Sequence, residues 1–347
     1  MKVTWYINNF RLKGLDRIKN IIGSYKYNYD SFTTSTWNRC LQLIPYLEKM
    51  NIKCSISDGN NLNTDIAVLI RWQDNSAYNL VKRLRDKKVI TVLDLCVNYF
   101  DETGVFPGGY GVNSNQVEVM KKLSVSVNGI IAGSEYIKQR AKHYNPNSIY
   151  LPESIDYNHF NFVKSKKDYL NNYPRAIWSG QSVKSSEVAD LYPKLKERGI
   201  PLTIISNMNP EMPGPYIYLP WSYYTFPKNI LNGEFCVSPR ATDNTYDLGH
   251  SHFKIGVFMA QGIPALAAPL PSYKEVIEKT GGGKLCASDE EWEKALDELL
   301  ENRKMLWKWS QAALEGMKEY STELVAKKYK LFFEKLLNDK KREQYVN

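Results

Sequence analysis

The sequence predicts an α/β protein built from two doubly wound domains and a helical C-terminal segment. Short β-branched runs alternate with longer helical patterns along most of the chain, which is typical of β-α units and a parallel sheet. Most strand candidates are apolar throughout, as strands covered by helices on both faces should be. The 347 residues amount to about 2.3 domains of ordinary size, which favours two domains and a terminal element.

The first half of the chain contains strand candidates with helical patterns between them. The strand candidates are residues 3–7, 52–57, 66–71, 89–97, 129–133 and 148–151. Residues 36–50 place apolar side chains from Cys40 to Leu47 at helical spacing, so we predict one helix there. A second helix is predicted over residues 134–144, with Ser134 as its N-cap.

The second half repeats this architecture after a polar stretch at residues 161–174, which we predict to be the interdomain linker. Its strand candidates are residues 175–179, 201–205, 216–219, 234–238, 264–268 and 284–287. Its helix candidates are residues 184–198, 253–261, 271–280 and 288–300. The repetition predicts a second doubly wound domain, similar in size to the first.

The last part of the chain, from about residue 303, shows only a helical pattern. An apolar stripe along it is formed by Val325, Tyr329, Phe332 and Leu336. We expect this stripe to pack back on the first domain. The predicted domains are therefore residues 1–160 and 161–320, followed by a C-terminal helix over residues 321–347.

The composition is that of an ordinary globular protein. With 43% hydrophobic and 24% charged residues, it excludes collagen-like, disulfide-scaffold and fully disordered chains. The five cysteines lie far apart and form no C-x-x-C pair, so we predict buried, reduced thiols. No stretch approaches 18 uninterrupted apolar residues, and the apolar run at residues 3–7 is too short for a signal peptide. We therefore expect a cytoplasmic protein.

The net charge of +9 suggests an anionic partner, which leaves a nucleotide phosphate, nucleic acid and a membrane surface open. Most of the positive charge is scattered, with local clusters only at residues 82–88, 164–167 and 339–342. Scattered charge argues against a nucleic-acid-binding face, and solvated surface explains the clusters equally well. Attachment to the inner face of an anionic membrane stays open.

In open α/β sheets, ligands bind beyond the carboxyl ends of the strands, so the loops that follow strands are the candidate sites. The loop at residues 178–184 contains Gly180, which permits close backbone approach, then Gln181 and the positive charge of Lys184. This composition suits a phosphate. A simple turn with a solvated lysine explains it equally well.

A second loop, within residues 247–264, is more informative. Ser251, His252, Phe253 and Lys254 stand in the first turn of a short predicted helix. Free backbone N–H groups, a hydroxyl and an ammonium would meet an anion there. A lysine at a helix N-terminus is electrostatically unfavourable without a compensating anion, which favours phosphate binding over an ordinary solvated helix start.

Two further features border these loops. Trp221 and Ser222 follow a strand, where the indole ring could stack on a nucleobase or simply pack in a core. His250 and His252, with Asp243 and Asp247 nearby, suggest a metal site, but no cysteine or third histidine is local. Hydrogen bonds to phosphate or sugar are the better interpretation, so we predict no metal.

Three segments resemble elements of GT-B glycosyltransferases, especially the large retaining family 4. Residues 251–277 resemble its sugar-nucleotide-binding segment, in which a helix ending in Met-Ala-x-Gly-x-Pro precedes a strand and a Pro-x-x-x-Glu turn. Residues 130–140 resemble its Ile-Ile-Ala-x-Ser-Glu element, and residues 149–160 its hinge. The resemblance implies two Rossmann-like domains facing across a cleft, with a nucleotide-diphosphate sugar on the second, an acceptor on the first, and transfer with retention.

The resemblance carries over unevenly to single residues. Lys184 and Gly180 match the family's basic residue and glycine after the first strand of the donor domain, and Ser251 with Lys254 matches its phosphate-facing helix start. The family's two glutamates would fall at Gly249 and Val257, so the usual Glu pair is absent. The resemblance therefore implies that the donor sugar is held differently, with contacts from Asp243 or His250.

On the acceptor side, residues 35–39 match a loop where the family commonly has Gly-Gly-x-x-Arg, which implies that Ser35 and Arg39 border the donor phosphates or the acceptor. Asp94 and Asp101 lie at or just past a strand, so a carboxylate could contact an acceptor hydroxyl. A structural role for Asp94, such as capping a neighbouring element, is the alternative. We take Lys254, Lys184 and Asp94 as the catalytic candidates.

The leading hypothesis is a glycosyltransferase that uses a nucleotide-diphosphate sugar as co-substrate, without a cofactor or metal, and a glycan or lipid-linked acceptor. An epimerase or phosphorylase related to GT-B proteins is one alternative. A basic protein that binds nucleic acid or an anionic membrane without catalysis is the other.

Overall fold

The computed structural model describes residues 1–8, 34–106, 111–171 and 173–346. The chain divides into two compact units. The first consists of Met1–Gly104, Gly111–Ser154 and Thr322–Asn347, and the second of Val105–Tyr110 and Ile155–Ser321. The structure thus divides the chain after Ser154 and after Ser321, whereas the domain ends predicted from the sequence are residues 160 and 320.

The first unit contains a six-stranded parallel sheet in the order β2-β1-β3-β4-β7-β8. Its strands are β1 (Lys2–Ile7), β2 (Lys53–Ser57), β3 (Ile66–Ile70), β4 (Ile90–Leu95), β7 (Gly129–Ala132) and β8 (Ser148–Tyr150). The short strands β5 (Gly104–Val105) and β6 (Gly111–Val112) form a separate two-stranded sheet. The strands predicted for this half of the chain are confirmed, with ends that differ by at most two residues.

Alternate residues of the strands fill two apolar cores on opposite faces of this sheet. In β3, Ala67 and Leu69 lie in one core, whereas Ile66, Val68 and Ile70 lie in the other. The helices of this part of the chain are α1 (Thr34–Thr36), α2 (Ile44–Glu48), α3 (Asn75–Asp86), α4 (Ser114–Ser126) and α5 (Glu135–Lys142). The strands are therefore apolar throughout because both of their faces are buried, as expected of a doubly wound domain.

The single helix predicted over residues 36–50 is wrong. A π-helical turn at Trp37–Leu41 precedes α2, and Pro45 lies in the first turn of α2. Proline has no backbone N–H and is tolerated at a helix start but not in a helix interior. The helical segment is therefore interrupted before Pro45, and α2 begins there as a separate helix. The predicted cap of α5 is confirmed, because the Ile137 N–H donates to Ser134 Oγ at 3.3 Å.

The second unit contains a six-stranded parallel sheet in the order β11-β10-β9-β12-β13-β14. Its strands are β9 (Ala176–Ser179), β10 (Leu202–Ser206), β11 (Ile217–Pro220), β12 (Phe235–Ser238), β13 (Ala265–Ala267) and β14 (Gly283–Leu285). The chain winds outward from β9 in one direction and from β12 in the other. The strand order therefore reverses between β9 and β12, and such a switch point is where open α/β sheets bind ligands.

Helices cover both faces of the second sheet over two further apolar cores. They are α6 (Lys166–Asn171), α7 (Ser186–Ala189), α8 (Tyr192–Glu197), α9 (Phe226–Asn229), α10 (Thr245–Leu248), α11 (Phe253–Met259), α12 (Pro271–Thr280), α13 (Asp289–Glu301) and α14 (Arg303–Gly316). Short 3₁₀ turns lie at Ser182–Lys184, Ile230–Asn232 and Met317–Tyr320. The helix predicted over residues 184–198 is two helices, because Pro193 starts α8 anew.

The polar stretch predicted as a linker, residues 161–174, is a packed part of the second unit. It contains α6, and the buried Tyr169 hydroxyl donates to the Gly262 carbonyl. The buried Lys164 ammonium donates to the Gly233 carbonyl at 2.8 Å and pairs with Glu234. Because these polar groups have hydrogen-bond and ion-pair partners inside the fold, the polar composition of the segment does not mean that the segment is exposed.

The C-terminal helix, α15 (Thr322–Val346), belongs to the first unit. One of the two apolar cores there includes Val325, Tyr329, Phe332, Phe333 and Leu336 from this helix. At its start, the Gln42 side-chain amide donates to Thr322 Oγ1 at 3.0 Å and to Ser154 Oγ at 2.9 Å. The last segment of the chain thus completes the core of the first unit.

The five cysteines are free thiols. Cys40, Cys236 and Cys286 are buried, whereas Cys54 and Cys96 are half-buried. Within the described part of the chain, each helix is too short or too polar to cross a bilayer.

Candidate functional site

The described part of the second unit brings three cationic side chains together at the switch point of its sheet. Lys184 ends the turn that follows β9, Arg240 comes two residues after β12, and Lys254 lies in the first turn of α11. The carboxyl ends of β9 and β12 are adjacent, so residues that follow these strands converge. The side chains of Arg240 and Lys254 are only 6% and 16% exposed.

Two carboxylates hold these cations. Lys254 Nζ donates to Glu187 Oε2 at 2.8 Å, and Arg240 Nη1 donates to Asp247 Oδ1 at 2.6 Å. Arg240 Nη1 also lies 3.9 Å from Glu187 Oε1. Three cations and two carboxylates leave one net positive charge in a mostly buried cluster. We call these five side chains the cation cluster.

Burial and a neighbouring positive charge disfavour the charged form of both lysines in the cation cluster. Burial and, to a smaller extent, the charge of Arg240 lower the pKa of Lys184 to about 8. Burial likewise lowers the pKa of Lys254 to about 8, with Arg240 adding to this effect and Glu187 opposing it. Among the described residues, the buried Arg240 Nε has no hydrogen-bond partner. A bound anion would relieve both the lost hydration and the repulsion between like charges.

Aromatic rings line the lysines. The Lys254 ammonium lies 4.7 Å from the centre of the Trp178 ring, and the Lys184 ammonium lies 5.3 Å from that of Tyr246. Both distances are within the range of a cation–π interaction. A Cβ atom on Gly180 would lie 2.6 Å from the Trp178 ring. Glycine at position 180 therefore allows the Trp178 ring to lie where it contacts Lys254.

His250 lies beside the cation cluster as a neutral imidazole. Burial, Arg240 and Lys184 together hold its pKa well below the usual value. His250 Nδ1 lies 2.8 Å from the Tyr246 carbonyl, and because a carbonyl only accepts, Nδ1 carries the proton. The Nε2 atom is then an acceptor, which suits a hydroxyl group. The predicted candidates Lys184, His250 and Lys254 are thus close together.

The other predicted site residues near α11 are Ser251, Phe253 and His252, and they differ in burial. Ser251 Oγ accepts from the Phe253 N–H at 3.4 Å, and Phe253 is half-buried. His252 is 1% exposed, its ring lies 4.4 Å from that of Tyr320, and burial lowers its pKa to about 3. The prediction that His252 contacts the donor is therefore wrong, since its side chain is part of the core beneath α11.

The other donor-side candidates lie at the surface or half-buried. Gln181 and Asp243 are exposed, and Asn244 Nδ2 donates to Asp243 Oδ1 at 3.4 Å. Trp221 is half-buried, with its ring 6.2 Å from that of Phe226, and Ser222 follows it. Among the described residues, no group of three or more His, Cys, Asp or Glu side chains is arranged to hold a metal ion.

Arg39 and Asp94 form a buried ion pair in the core of the first unit. Arg39 Nε donates to Asp94 Oδ1, Tyr329 donates to Asp94 Oδ2 at 2.7 Å, and Arg39 Nη1 donates to the Leu151 carbonyl at 3.1 Å. Burial would lower the pKa of Arg39, but the Asp94 carboxylate raises it. Both side chains are at most 1% exposed. The predictions that Asp94 acts in catalysis and that Arg39 borders a ligand are wrong, because neither side chain is accessible.

Ser35 and Asp101 also lie in the first unit. Ser35 is half-buried and accepts from Arg71 Nη1 at 3.2 Å. Asp101 accepts from Arg140 Nε at 2.5 Å and from Asn98 Nδ2 at 2.8 Å, at the side of an open groove of about 470 Å³. Their predicted contact with an acceptor stays a prediction.

Sequence reasoning missed Arg240 and Glu187, and it considered Asp247 only as a neighbour of His250 and His252. A signal was present for Arg240, because it follows the strand candidate at residues 234–238 by two residues. Glu187 comes three residues after Lys184, which is neighbouring in a helical turn. Glu187 lies on α7, Asp247 on α10 and Arg240 in the loop after β12. These residues become neighbours only in the folded chain, so their ion pairs could not be predicted from the sequence.

The sequence matches no protein-family model and no curated protein. Solved structures do match. HepE of Anabaena, solved in complex with UDP, gives a TM-score of 0.65 at 12% identity, over 96% of this chain and 100% of HepE. WaaG, a glycosyltransferase involved in lipopolysaccharide biosynthesis, gives a TM-score of 0.58 at 9% identity, over 95% of this chain and 98% of WaaG.

TarM matches with a TM-score of 0.58 at 12% identity over 84% of this chain, which spans 57% of the length of TarM. These structural neighbours are GT-B glycosyltransferases. At such low identity the likeness concerns the fold. With two parallel six-stranded sheets, helices around each and a C-terminal helix, the chain has the GT-B fold.

Proposed function

We propose that this protein is a glycosyltransferase that moves a sugar from a nucleotide-diphosphate sugar to a hydroxyl group of a glycan, a lipid-linked saccharide or another acceptor. The cation cluster carries this proposal. Lys184, Arg240 and Lys254 lie beyond the carboxyl ends of β9 and β12 with an excess of positive charge. A diphosphate is the ligand that matches this charge, and the switch point of such a sheet is where nucleotides bind.

The cations would act on the leaving group. As the bond between the sugar C1 atom and the β-phosphate oxygen breaks, its electron pair stays on the diphosphate. The acceptor hydroxyl oxygen bonds to C1, and its proton passes to the departing diphosphate. Fixed ammonium and guanidinium groups in a poorly hydrated site stabilise the charge that grows on the diphosphate. Transfer without a metal, and with retention of configuration, is part of the proposal.

The sugar and base would be held by neighbouring residues. His250 Nε2 is an acceptor for a sugar hydroxyl beside the cation cluster, in place of the absent Glu pair. Asp243, exposed on the loop before α10, is the second candidate. Trp221 is the candidate for contact with the base. Two of the similar structures support a nucleotide diphosphate and a sugar as ligands, since HepE was solved with UDP and with UDP and glucose.

A thermal-shift panel of UDP, GDP, dTDP, ADP and CMP tests the proposal. A nucleotide present at 100 times its Kd adds about 2.7 kcal/mol to the free energy of unfolding. We expect one diphosphate nucleotide to stabilise the protein, which also identifies the base. The absence of any stabilisation, combined with salt-sensitive binding to DNA or liposomes, would favour a non-enzymatic basic binding protein instead.

A basic surface on the first unit supports contact with an anionic membrane as part of this function. Lys340 Nζ donates to the Lys88 carbonyl, so two of the predicted basic clusters, residues 82–88 and 339–342, lie side by side. Most of their lysines and arginines are exposed. We expect co-sedimentation with vesicles of anionic lipid at low salt, and its loss in K87E/K341E. Equal binding to neutral vesicles, or none, would contradict the contact.

A further inference from the structure

The Glu187 carboxylate lies inside the cation cluster. Its side chain is 17% exposed, Oε2 accepts from Lys254 Nζ at 2.8 Å, and Oε1 lies 3.9 Å from Arg240 Nη1. Burial would raise the pKa of Glu187, but the charges of Lys254 and Arg240 outweigh burial and lower it. The carboxylate is therefore ionised at neutral pH and neutralises cations that a diphosphate would need.

Charged and titratable groups face Glu187 from several elements of the second unit. They are Lys184 in the turn after β9, Arg240 in the loop after β12, Asp247 in α10, His250 after α10, Lys254 in α11 and Tyr273 in α12. The cations outnumber the carboxylates. Asp190, the residue after α7, is exposed and lines the same cavity as Glu187 and Arg240.

We propose that Glu187 is a positioning residue that holds Lys254 and Arg240 in the absence of the donor, and that it releases Lys254 when a diphosphate binds. The inference rests on the proposed function, because it takes the cation cluster as the diphosphate site. A diphosphate on Lys184 and Lys254 would bring its oxygens close to the Glu187 carboxylate, and two anions at this separation repel each other. The ammonium of Lys254 has three N–H groups, so it can turn from the carboxylate to a phosphate without leaving the cluster.

Glu187→Gln separates this role from a merely structural one. Glutamine keeps the shape of the side chain but removes the competing charge, so at pH 6.5 we expect diphosphate binding about tenfold tighter than in the wild type. Glu187 also raises the pKa of Lys254, which is about 8 when Glu187 is present. Without Glu187, Lys254 loses its proton at lower pH. The variant should therefore lose its affinity at a lower pH than the wild type, which weakens above about pH 8.

Isothermal titration of the full chain with inorganic pyrophosphate and with UDP, from pH 6.5 to 9 in buffers of different ionisation enthalpy, measures affinity and proton uptake together. Near pH 8 the free lysines are partly deprotonated, and a bound diphosphate raises their pKa, so the wild type should take up protons at pH 8. At pH 6.5 the lysines are already protonated, and the diphosphate, whose second phosphate pKa is about 6, should instead release protons on binding. Glu197→Gln is the matched control. It makes the same substitution at an exposed glutamate at the end of α8, which leads into the start of β10, and it should leave affinity and pH profile unchanged.

Weaker binding by Glu187→Gln at every pH, or a profile that coincides with the wild-type profile, would overturn the proposal. If Glu187→Gln does not fold, Glu187→Ala, which removes the same charge, is measured against the same two expectations. If the folded wild type binds neither pyrophosphate nor any nucleotide of the panel, the proposed function fails as well. Binding by the wild type with no effect of Glu187→Gln overturns this inference alone.

Discussion

Lys254 combines three features expected of a group that stabilises a leaving diphosphate: it lies beyond the carboxyl end of a parallel sheet, it is largely buried, and its counter-ion is the Glu187 carboxylate. The Trp178 ring fixes its position from one side. The loss of hydration that lowers its pKa also makes its charge more effective toward a bound anion.

Replacing Lys254 by alanine should therefore reduce kcat by roughly 10²–10³-fold, because the contact strengthens as charge grows on the leaving group. Steady-state kinetics with the donor found by the nucleotide panel measures this effect. Lys274→Ala is the control, since Lys274 lies exposed on α12 in the same unit. Unchanged turnover in Lys254→Ala would contradict the assignment.

A second prediction at the level of single residues concerns Asp94 and the stability of the first unit. Asp94→Asn leaves the Arg39 guanidinium buried without its counter-ion, which should lower the free energy of unfolding by about 3–5 kcal/mol. Urea denaturation measures this loss, and Asp86→Asn, at the exposed end of α3, should change stability little. A variant as stable as the wild type would mean that the pair contributes nothing to the first unit.

At the scale of elements, the strands were the most predictable part of the fold. Buried parallel strands are short and uniformly apolar, and this signal depends on local sequence alone. Helices were less predictable where prolines such as Pro45 and Pro193 restart them. The segment around α6 was misread, because Lys164 is a charged residue whose partner, Glu234, lies 70 residues away.

The helix α15 is the element whose role depends most on packing. Phe333 is buried in the core of the first unit, whereas Leu331, two residues earlier, is 64% exposed. Phe333→Ala should lower the free energy of unfolding by about 3–5 kcal/mol through the cavity it leaves. Leu331→Ala is the matched control and should stay within about 0.5 kcal/mol of the wild type. Equal effects of the two substitutions in urea denaturation would show that the helix does not pack in this way.

At the scale of the whole molecule, the two units have their own cores, and the chain returns to the first unit after completing the second. A chain that ends at Ser321 would expose the apolar surface that Val325, Tyr329 and Phe333 cover. We expect limited proteolysis of this truncated chain to digest residues 1–154 while residues 155–321 resist. Equal resistance of both parts would contradict a structural role for α15 in the first unit.

The sequence by itself determined the α/β class, the strands and the loops after β9 and before α11 where Lys184 and Lys254 stand. These features follow from local patterns, since the period of apolar residues and the residues just past a strand can be read without knowing what packs against them. Only the tertiary structure decided which charges meet. It placed Asp94 and Arg39 against Tyr329 in a core, and it placed Arg240, Glu187 and Asp247 around the two lysines. Electrostatic partners are set by distance and burial in space, and residues far apart in the chain become neighbours only when the sheet and its helices bring them together.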